Sequence, residues 1–148
     1  MHKRILHIAE ASGGVERYLV TLLTKMKKYD DMHILVCSIT FDVKKFNGLV
    51  DDIVVVDEMH NAISLSHDSK AIFAVRKAIK KYKPDIVYCH SSKAGTIGRV
   101  ADMGIKNKLI YNAHGWSFNM KGVSGKKIKF YRAVEKMLAL MTDKIVCI

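Results

Sequence analysis

Six short apolar runs, rich in β-branched residues, constrain the fold of this chain more than any other feature of its sequence. In chain order they read RILHI, MHILVCSI, IVVV, DIVYC, KLIYN and KIVCI. Their hydrophobicity is nearly continuous rather than alternating, which is typical of strands that are buried on both faces. Such strands belong to parallel sheets, because the crossover connections cover both faces of the sheet.

Stretches with helical periodicity separate these runs. Apolar residues follow an i, i+3, i+4 pattern in residues 15–26, 72–82 and 130–141. Shorter helical pieces are expected at residues 95–103 and around residues 43–49. The alternation of strand and helix predicts an α/β fold, with a Rossmann-like parallel sheet, right-handed crossovers and helices on both faces.

The length of 148 residues suits one domain, and we interpret residues 1–148 as a single unit. The sequence stops inside the sixth apolar run, with no turn or polar tail after it. We therefore expect the chain to form half of something larger. Whether it is a cut piece or a natural half-enzyme with a partner subunit stays open at this level.

The formal net charge of +11 suggests an anionic partner such as a nucleotide, a membrane surface or a nucleic acid. The three cysteines contain no CxxC spacing, so neither a zinc site nor a disulfide framework is implied. No apolar stretch approaches the ~18 residues that a membrane span requires, and no signal-peptide pattern opens the chain. We expect a cytoplasmic protein.

Polar, glycine-bearing loops follow three of the predicted strands, and they read EASGGVE, CHSSKAG and NAHGW. In open parallel sheets, ligands bind at the carboxyl ends of the strands, so these loops form the candidate site. Gly13 and Gly14 would let a phosphate or carboxyl oxygen approach the N-terminus of the first helix. Taken singly, each loop also fits a packing or capping role.

Two histidines, His90 and His114, follow strand ends and are predicted to face the cleft. There they would hydrogen-bond sugar hydroxyls or act as an acid or base. Lys93 would add a positive charge to the same loop. Metal ligation is disfavoured because no carboxylate is closely spaced with them. The other five histidines are assigned to packing or surface roles, and they are His2, His7, His33, His60 and His67.

Two basic stretches cover residues 70–83 and 121–136. A solvated helix face explains part of this pattern. The second stretch also carries apolar residues, which favours a helix that lies on an anionic membrane, at about 1 kcal/mol per basic residue. Nucleic acid is disfavoured, because no RNP-type motif or recognition helix is present. The predicted membrane-facing residues are Lys126, Lys127, Lys129 and Arg132.

The order of these segments resembles the N-terminal half of a family 4 glycosyltransferase. The resemblance rests on RILHIAEASGGVERYLVTLL, KPDIVYCHSSKAG, KLIYNAHGW and TDKIVCI, and it extends over essentially the whole chain. Enzymes of this family are retaining and have the GT-B architecture, in which two Rossmann-like domains face a cleft. Within the family, bacterial capsule, exopolysaccharide and lipopolysaccharide transferases are the most similar in style.

The resemblance implies roles for individual residues. Gly13 and Gly14 match the glycine loop that faces the diphosphate and sugar of the donor, and His114 matches the histidine near the transferred sugar, the candidate catalytic residue. A nucleotide-diphosphate sugar is the implied donor, and a glycan or polyprenyl-linked molecule is the implied acceptor, without a further cofactor or metal. The implied acceptor-side loop consists of His90, Ser91, Ser92, Lys93, Gly115 and Trp116.

Three alternatives compete with this interpretation. The nucleotide-binding C-terminal domain of the family, with its Glu–seven residues–Glu motif, has no counterpart in this sequence. We therefore expect this chain to be inactive by itself, or else to be a non-catalytic, membrane-recruiting subunit that pairs with a catalytic half. A receiver domain is disfavoured because only Glu10 stands where an acidic pair is needed. A dinucleotide-dependent enzyme is disfavoured because GxGxxG is missing and Tyr131 is followed four places on by Glu135.

Overall fold

The computed structural model describes residues 2–60, 62–119, 122 and 124–147, so the end of the sixth apolar run, Ile148, and Lys121 of the second basic stretch lie outside it. Each of the six apolar runs forms a strand. The strands are β1 (Arg4–Ala9), β2 (Met32–Cys37), β3 (Asp52–Val55), β4 (Ile86–His90), β5 (Lys108–Asn112) and β6 (Lys144–Val146).

Helices separate the strands as the periodicity predicts. They are α1 (Gly14–Met26), α2 (Leu65–Tyr82), α3 (Ser92–Ala101) and α4 (Gly125–Ala139), with 3₁₀ turns at Val43–Phe46 and Ser117–Asn119. Helix α3 begins before the expected Gly95, because the Ser91 side chain accepts a hydrogen bond from the N–H of Ala94 and caps the helix there. The expected helical piece around residues 43–49 is the first 3₁₀ turn.

All strand pairs are parallel, and the sheet order is β3-β2-β1-β4-β5-β6. Side chains of successive strand residues point to opposite faces, so each strand serves two cores. On one face, Leu6 and Ile8 of β1 pack with residues of α2 and α3, among them Val75 and Ile97. On the other face, Ala9 packs with the apolar side of α1. The predicted Rossmann-like sheet with helices on both faces is confirmed.

Strand β1 is the point where the strand order reverses. The chain leaves β1 through α1 toward β2, and it leaves β4 through α3 toward β5, on the other side of the sheet. The loops after β1 and β4 therefore diverge, which opens a crevice at the carboxyl ends of these two strands. The three polar loops after β1, β4 and β5 consequently lie along one edge.

Candidate functional site

The loop after β1 ends in a glycine whose backbone conformation only a residue without a side chain adopts easily. Gly13 has φ +81° and is the N-cap of α1, and Gly14 is the first helical residue. The positive φ explains the first glycine on backbone grounds alone. The second glycine has no positive φ, so its presence needs another reason.

Neither packing nor capping within the described residues requires Gly14. A Cβ built at Gly14 meets no atom of the described chain within 4 Å. Helices α2, α3 and α4 each have a serine as N-cap, and its side chain accepts a hydrogen bond from a backbone N–H. No described side chain caps α1 in this way. The start of α1 thus offers open space, free N–H groups and the positive end of the helix dipole.

A buried carboxyl group lies between this loop and the loop after β4. Glu10 is almost fully buried, and the Ser91 hydroxyl donates to its Oε2 at 3.4 Å. Burial raises the pKa of Glu10, although the Ser91 hydrogen bond and the Lys93 charge act in the opposite direction. Ser91 itself has φ +80°, so the backbone of the β4 loop turns sharply beside Glu10.

The side chain of Lys93 points to α2. Its Nζ lies 2.6 Å from Asp68 Oδ1 and donates to the carbonyl oxygen of Ala62 at 2.9 Å. The expectation that Lys93 adds a positive charge to this loop is therefore corrected in part: its ammonium group is paired with Asp68, although its charge still acts on the pKa of Glu10. The physical reason is that Lys93 lies in α3, whose first turn packs beside α2.

A row of four histidines begins at the cleft and continues beneath it. His114 Nε2 lies 3.3 Å from His90 Nδ1, His90 Nε2 lies 3.2 Å from His7 Nδ1, and His7 Nε2 lies 3.2 Å from His33 Nδ1. His90 is the last residue of β4 and is fully buried, so the expectation that it faces the open cleft is corrected. Only His114, which is half-buried, borders solvent at this end of the row.

Burial keeps these rings uncharged. It lowers the pKa of His7 to about 3, with a contribution from His33. The pKa of His90 is lowered by burial and by His7 and His114, and burial also lowers the pKa values of His33 and His114. The ring of Tyr18 in α1 packs edge-on against His114, with centroids 4.6 Å apart. At neutral pH the site therefore presents a neutral imidazole.

The loop after β5 is shaped by the backbone. His114 has φ +53°, and its N–H donates to the side-chain Oδ1 of Asn112 at 3.2 Å. The Ser92 hydroxyl lies 3.4 Å from the carbonyl oxygen of Gly115, which joins this loop to the start of α3. The three polar loops predicted from the sequence thus form one connected surface.

An apolar groove of about 410 Å³ lies beside this surface. Trp116 stacks on Phe118 with ring centroids 5.2 Å apart, and both rings form one wall. Ala139 and Ile145 contribute further apolar lining, while Arg132 reaches the rim over the Phe118 ring. The groove thus has an apolar, aromatic lining with positive charge at its edge.

Helix α4 carries the predicted membrane-facing residues in exposed positions. Exposed apolar side chains accompany them on the same helix or just after it, with Phe130 and Met137 each 58% exposed and Leu140 89% exposed. Among the described residues, no helix has the length and hydropathy needed to cross a bilayer. The four predicted residues, Lys126, Lys127, Lys129 and Arg132, are exposed, and so is Lys136 on the same helix.

The sequence analysis missed part of this arrangement. His7 and His33 had been assigned to packing or surface roles, yet they continue the row behind His90. The signal that could have found them is strand register, because His7, His33 and His90 occupy positions of their strands that point to the α1 face. Glu10 was noted only as a departure from a receiver domain. Among the described residues, no three histidine, cysteine or carboxylate side chains are grouped to hold a metal ion.

Comparison with known proteins gives a family match. The sequence model described as Glycosyltransferase Family 4 matches residues 12–148. One curated relative is the UDP-Gal:alpha-D-GlcNAc-diphosphoundecaprenol alpha-1,3-galactosyltransferase of Escherichia coli. It is 35% identical over 89 residues, which are 58% of this chain and 22% of the relative. Another is the O-antigen biosynthesis glycosyltransferase WbnH of Escherichia coli, 33% identical over 81 residues, or 55% of this chain and 23% of the relative.

Among solved structures, MurG of Acinetobacter baumannii is similar in fold. The TM-score is 0.65 at 14% sequence identity, and the match covers 98% of this chain and 39% of MurG. This likeness concerns the fold alone. The matched part is less than a quarter of each curated relative and about two fifths of the MurG chain.

Proposed function

The chain belongs to glycosyltransferase family 4, and we propose that it forms the acceptor-side half of an enzyme that transfers a sugar from a nucleotide-diphosphate donor. Family membership and the Rossmann-like fold are given by the sequence match and the sheet. The names of the curated relatives support cell-surface polysaccharide synthesis as the setting. A glycan carried on a polyprenyl diphosphate is the acceptor that we propose.

The start of α1 carries this proposal. Gly14 is unobstructed, α1 lacks a side-chain cap among the described residues, and the loop lies at the switch point of the sheet. A diphosphate oxygen there would accept hydrogen bonds from free backbone N–H groups and meet the positive end of the helix dipole. A Cβ at Gly14 would occupy the space that such an oxygen needs.

His114 is the residue that we propose to contact the transferred sugar. Its neutral ring has one nitrogen toward His90, which leaves Nδ1 for a hydroxyl or phosphate oxygen. The apolar groove lined by Trp116 and Phe118 would hold part of the acceptor beside it. Aromatic rings suit both a sugar face and a prenyl chain, because both are largely apolar on that side.

Catalysis requires more than this half, in our proposal. A second nucleotide-sugar-binding domain, in cis or on a partner subunit, would hold most of the donor across the cleft. Transfer would then proceed with retention of configuration, as in the family that the sequence resembles. The alternative is a non-catalytic subunit that recruits a separate catalytic half to the membrane, and it shares the same basic surface on α4.

The experiment is a sugar-transfer assay with the full-length protein and the Gly14→Ala variant. UDP-sugars serve as donors and a synthetic polyprenyl-diphosphate-linked N-acetylglucosamine as acceptor. We expect transfer by the wild type and roughly a 100-fold lower kcat/KM in the variant, since a displacement of about 1 Å at the reacting groups costs that much. NMR of the product anomer reports whether configuration is retained.

The matched control is Gly125→Ala at the start of α4. Its Cβ also meets no described atom within 4 Å, so both variants should fold equally well. If Gly14→Ala transfers sugar at the wild-type rate, the diphosphate does not approach α1 at this residue. If the wild type transfers none of the sugars tested but binds a catalytic partner, the recruiting-subunit alternative is favoured.

A further inference from the structure

The row of histidines behind His114 has a regularity that packing alone does not require. In each of its three contacts, Nδ1 of one ring faces Nε2 of the next, at 3.2–3.3 Å. The row joins strand β2 to β1, β1 to β4, and β4 to the loop after β5. It therefore crosses the sheet diagonally, from His33 to the cleft, because His33 lies level with Ile5 and His90 lies level with Ala9.

A neutral imidazole has one N–H donor and one lone pair. If each contact is a hydrogen bond, the proton between two rings belongs to Nδ1 of one or to Nε2 of the next. Once the proton is assigned at one contact, the protonation of the second nitrogen in both rings is fixed, and so is the donor at the next contact. Only two arrangements keep all three hydrogen bonds, with every ring protonated at Nδ1 or every ring protonated at Nε2.

The surroundings leave the row free to adopt either arrangement. At one end, no hydrogen bond joins Nδ1 of His114 to any residue in the described part of the chain. At the other end, His33 Nε2 is buried and likewise without a described hydrogen-bond partner. The ring of Tyr18 from α1 and that of Tyr88 from β4 pack against His90. Asp31 and Asp51 place negative charge near His33.

We propose that His7, His33 and His90 are positioning residues that share one tautomer with His114 and thereby set whether its Nδ1 donates or accepts a hydrogen bond in the cleft. With every ring protonated at Nδ1, His114 donates to a hydroxyl or phosphate oxygen. With every ring protonated at Nε2, it accepts from a substrate hydroxyl. That the substrate oxygen belongs to a sugar or phosphate rests on the proposed function, whereas the coupling of the rings does not.

The test is NMR of the full-length protein labelled with ¹⁵N at histidine, at pH 8, where the rings are neutral. Nitrogen chemical shifts distinguish a protonated from an unprotonated ring nitrogen and give the tautomer fraction at each residue. We expect equal fractions at His7, His33, His90 and His114. Unequal fractions in the wild type would overturn the proposal, whatever the transfer assay shows.

The variant His7→Phe removes the ring that joins His33 to His90. We expect the tautomer fraction of His33 to depart from the common value, while His90 and His114 remain equal to each other. Leu35→Val is the control, because Leu35 lies on the same face of β2 and its truncation disturbs packing but leaves the row intact. Four equal fractions are expected there, and unequal fractions in this control would show that packing, not the row, sets the tautomers.

His7→Leu is the second variant if the phenylalanine prevents folding. A leucine side chain has neither a donor nor an acceptor, so it also interrupts the row. The same departure at His33 is expected. A tautomer fraction at His33 that still follows changes at His114, for example on addition of UDP, would count against coupling through His7.

Discussion

The histidines beneath the cleft are held in their neutral form by burial. His7 and His90 are fully enclosed between the sheet and α1, and Glu10 is almost as buried on the neighbouring loop. Desolvation penalises the charged form of each, lowering the pKa of the histidines and raising that of the carboxyl group. The buried histidines are thus neutral at pH 7, and the stability of the fold depends on pH.

Lowering the pH below 6.5 should destabilise the fold through His7. Its pKa is about 3 in the folded protein against 6.5 in the unfolded chain. Between these values the unfolded chain binds a proton that the folded protein does not, so the free energy of unfolding falls as the pH falls. The loss is about 1.4 kcal/mol per pH unit for this residue, and the contribution is complete above pH 6.5.

Urea unfolding from pH 7.5 to 5 measures this dependence. The variant His7→Phe should show a slope smaller by that amount, and an unchanged slope would contradict the prediction. Asp102 acts in the opposite direction, because burial raises its pKa from 3.8 to about 6. Below about pH 6 the folded protein therefore binds a proton that the unfolded chain does not. Asp102→Asn should therefore make the decline of stability toward acid steeper.

Among the secondary-structure elements, α3 approaches the sheet most closely because two of its residues have no side chain. A Cβ at Gly95 would overlap the ring of Tyr111, and one at Gly98 would overlap Sγ of Cys89. The same helix carries Arg99, whose guanidinium lies over the Tyr111 ring and bonds Glu135 of α4 at 2.8 Å. Helix α3 therefore connects the sheet to α4 and to the groove beside the site.

Gly98→Ala should lower the free energy of unfolding by about 1–3 kcal/mol, the usual cost of overpacking a core. The loss is expected even though alanine is favoured over glycine inside a helix by about 1 kcal/mol. Thermal or urea unfolding measures it. Gly125→Ala, whose added methyl group has open space, should leave stability unchanged or raise it; equal effects of the two substitutions would contradict the packing explanation.

Glu135→Leu should destabilise the protein by about 3–5 kcal/mol, because it leaves the buried guanidinium of Arg99 uncompensated. Arg99 has no exposed surface and Glu135 has little. The double variant Arg99→Met with Glu135→Leu should recover most of that loss, since apolar side chains of similar volume can replace a buried ion pair. The free energies of unfolding of the four proteins form a double-mutant cycle. A coupling energy near zero would contradict the prediction.

At the scale of the whole molecule, the net charge of +11 is partly concentrated on one surface. Helix α4 exposes five basic side chains together with Phe130 and Met137. This combination is typical of a helix that lies on an anionic lipid surface, with apolar side chains among the headgroups. We propose that this face brings the acceptor groove, which α4 also lines, close to a lipid-linked acceptor.

Replacing the four predicted membrane-facing residues of α4 by glutamine should weaken binding to phosphatidylglycerol vesicles. At about 1 kcal/mol per residue, the loss is up to about 4 kcal/mol, or roughly a thousandfold in affinity at low salt. Co-sedimentation measures it, and phosphatidylcholine vesicles should bind neither protein. The substituted residues are Lys126, Lys127, Lys129 and Arg132.

An equal change of charge elsewhere provides the control. Exposed lysines on and just after α2 are replaced by glutamine, and they are Lys70, Lys77, Lys80 and Lys83. If both quadruple variants lose the same affinity, net charge rather than the α4 surface governs binding.

Most of the fold could be predicted from local patterns in the sequence. Continuous apolar runs predicted all six strands, and periodicity predicted the three long helices, because both signals are local and repeat along the chain. Gly13 and Gly14 were placed correctly at the start of α1, because the apolar strand pattern ends before them and the helical pattern begins directly after them. The functional roles of these glycines and of His114 stay predictions.

The contacts between distant side chains could not be predicted from the sequence. The sequence places His7 and His33 in strands and His90 just past one, but it does not show that β1 lies between β2 and β4, and their contacts depend on that order. It placed Lys93 in a loop, whereas in the structure Lys93 lies in α3 and forms an ion pair with Asp68 of α2. Strands and helices follow from local patterns, while these contacts arise from residues far apart in the chain, which only the completed sheet brings together.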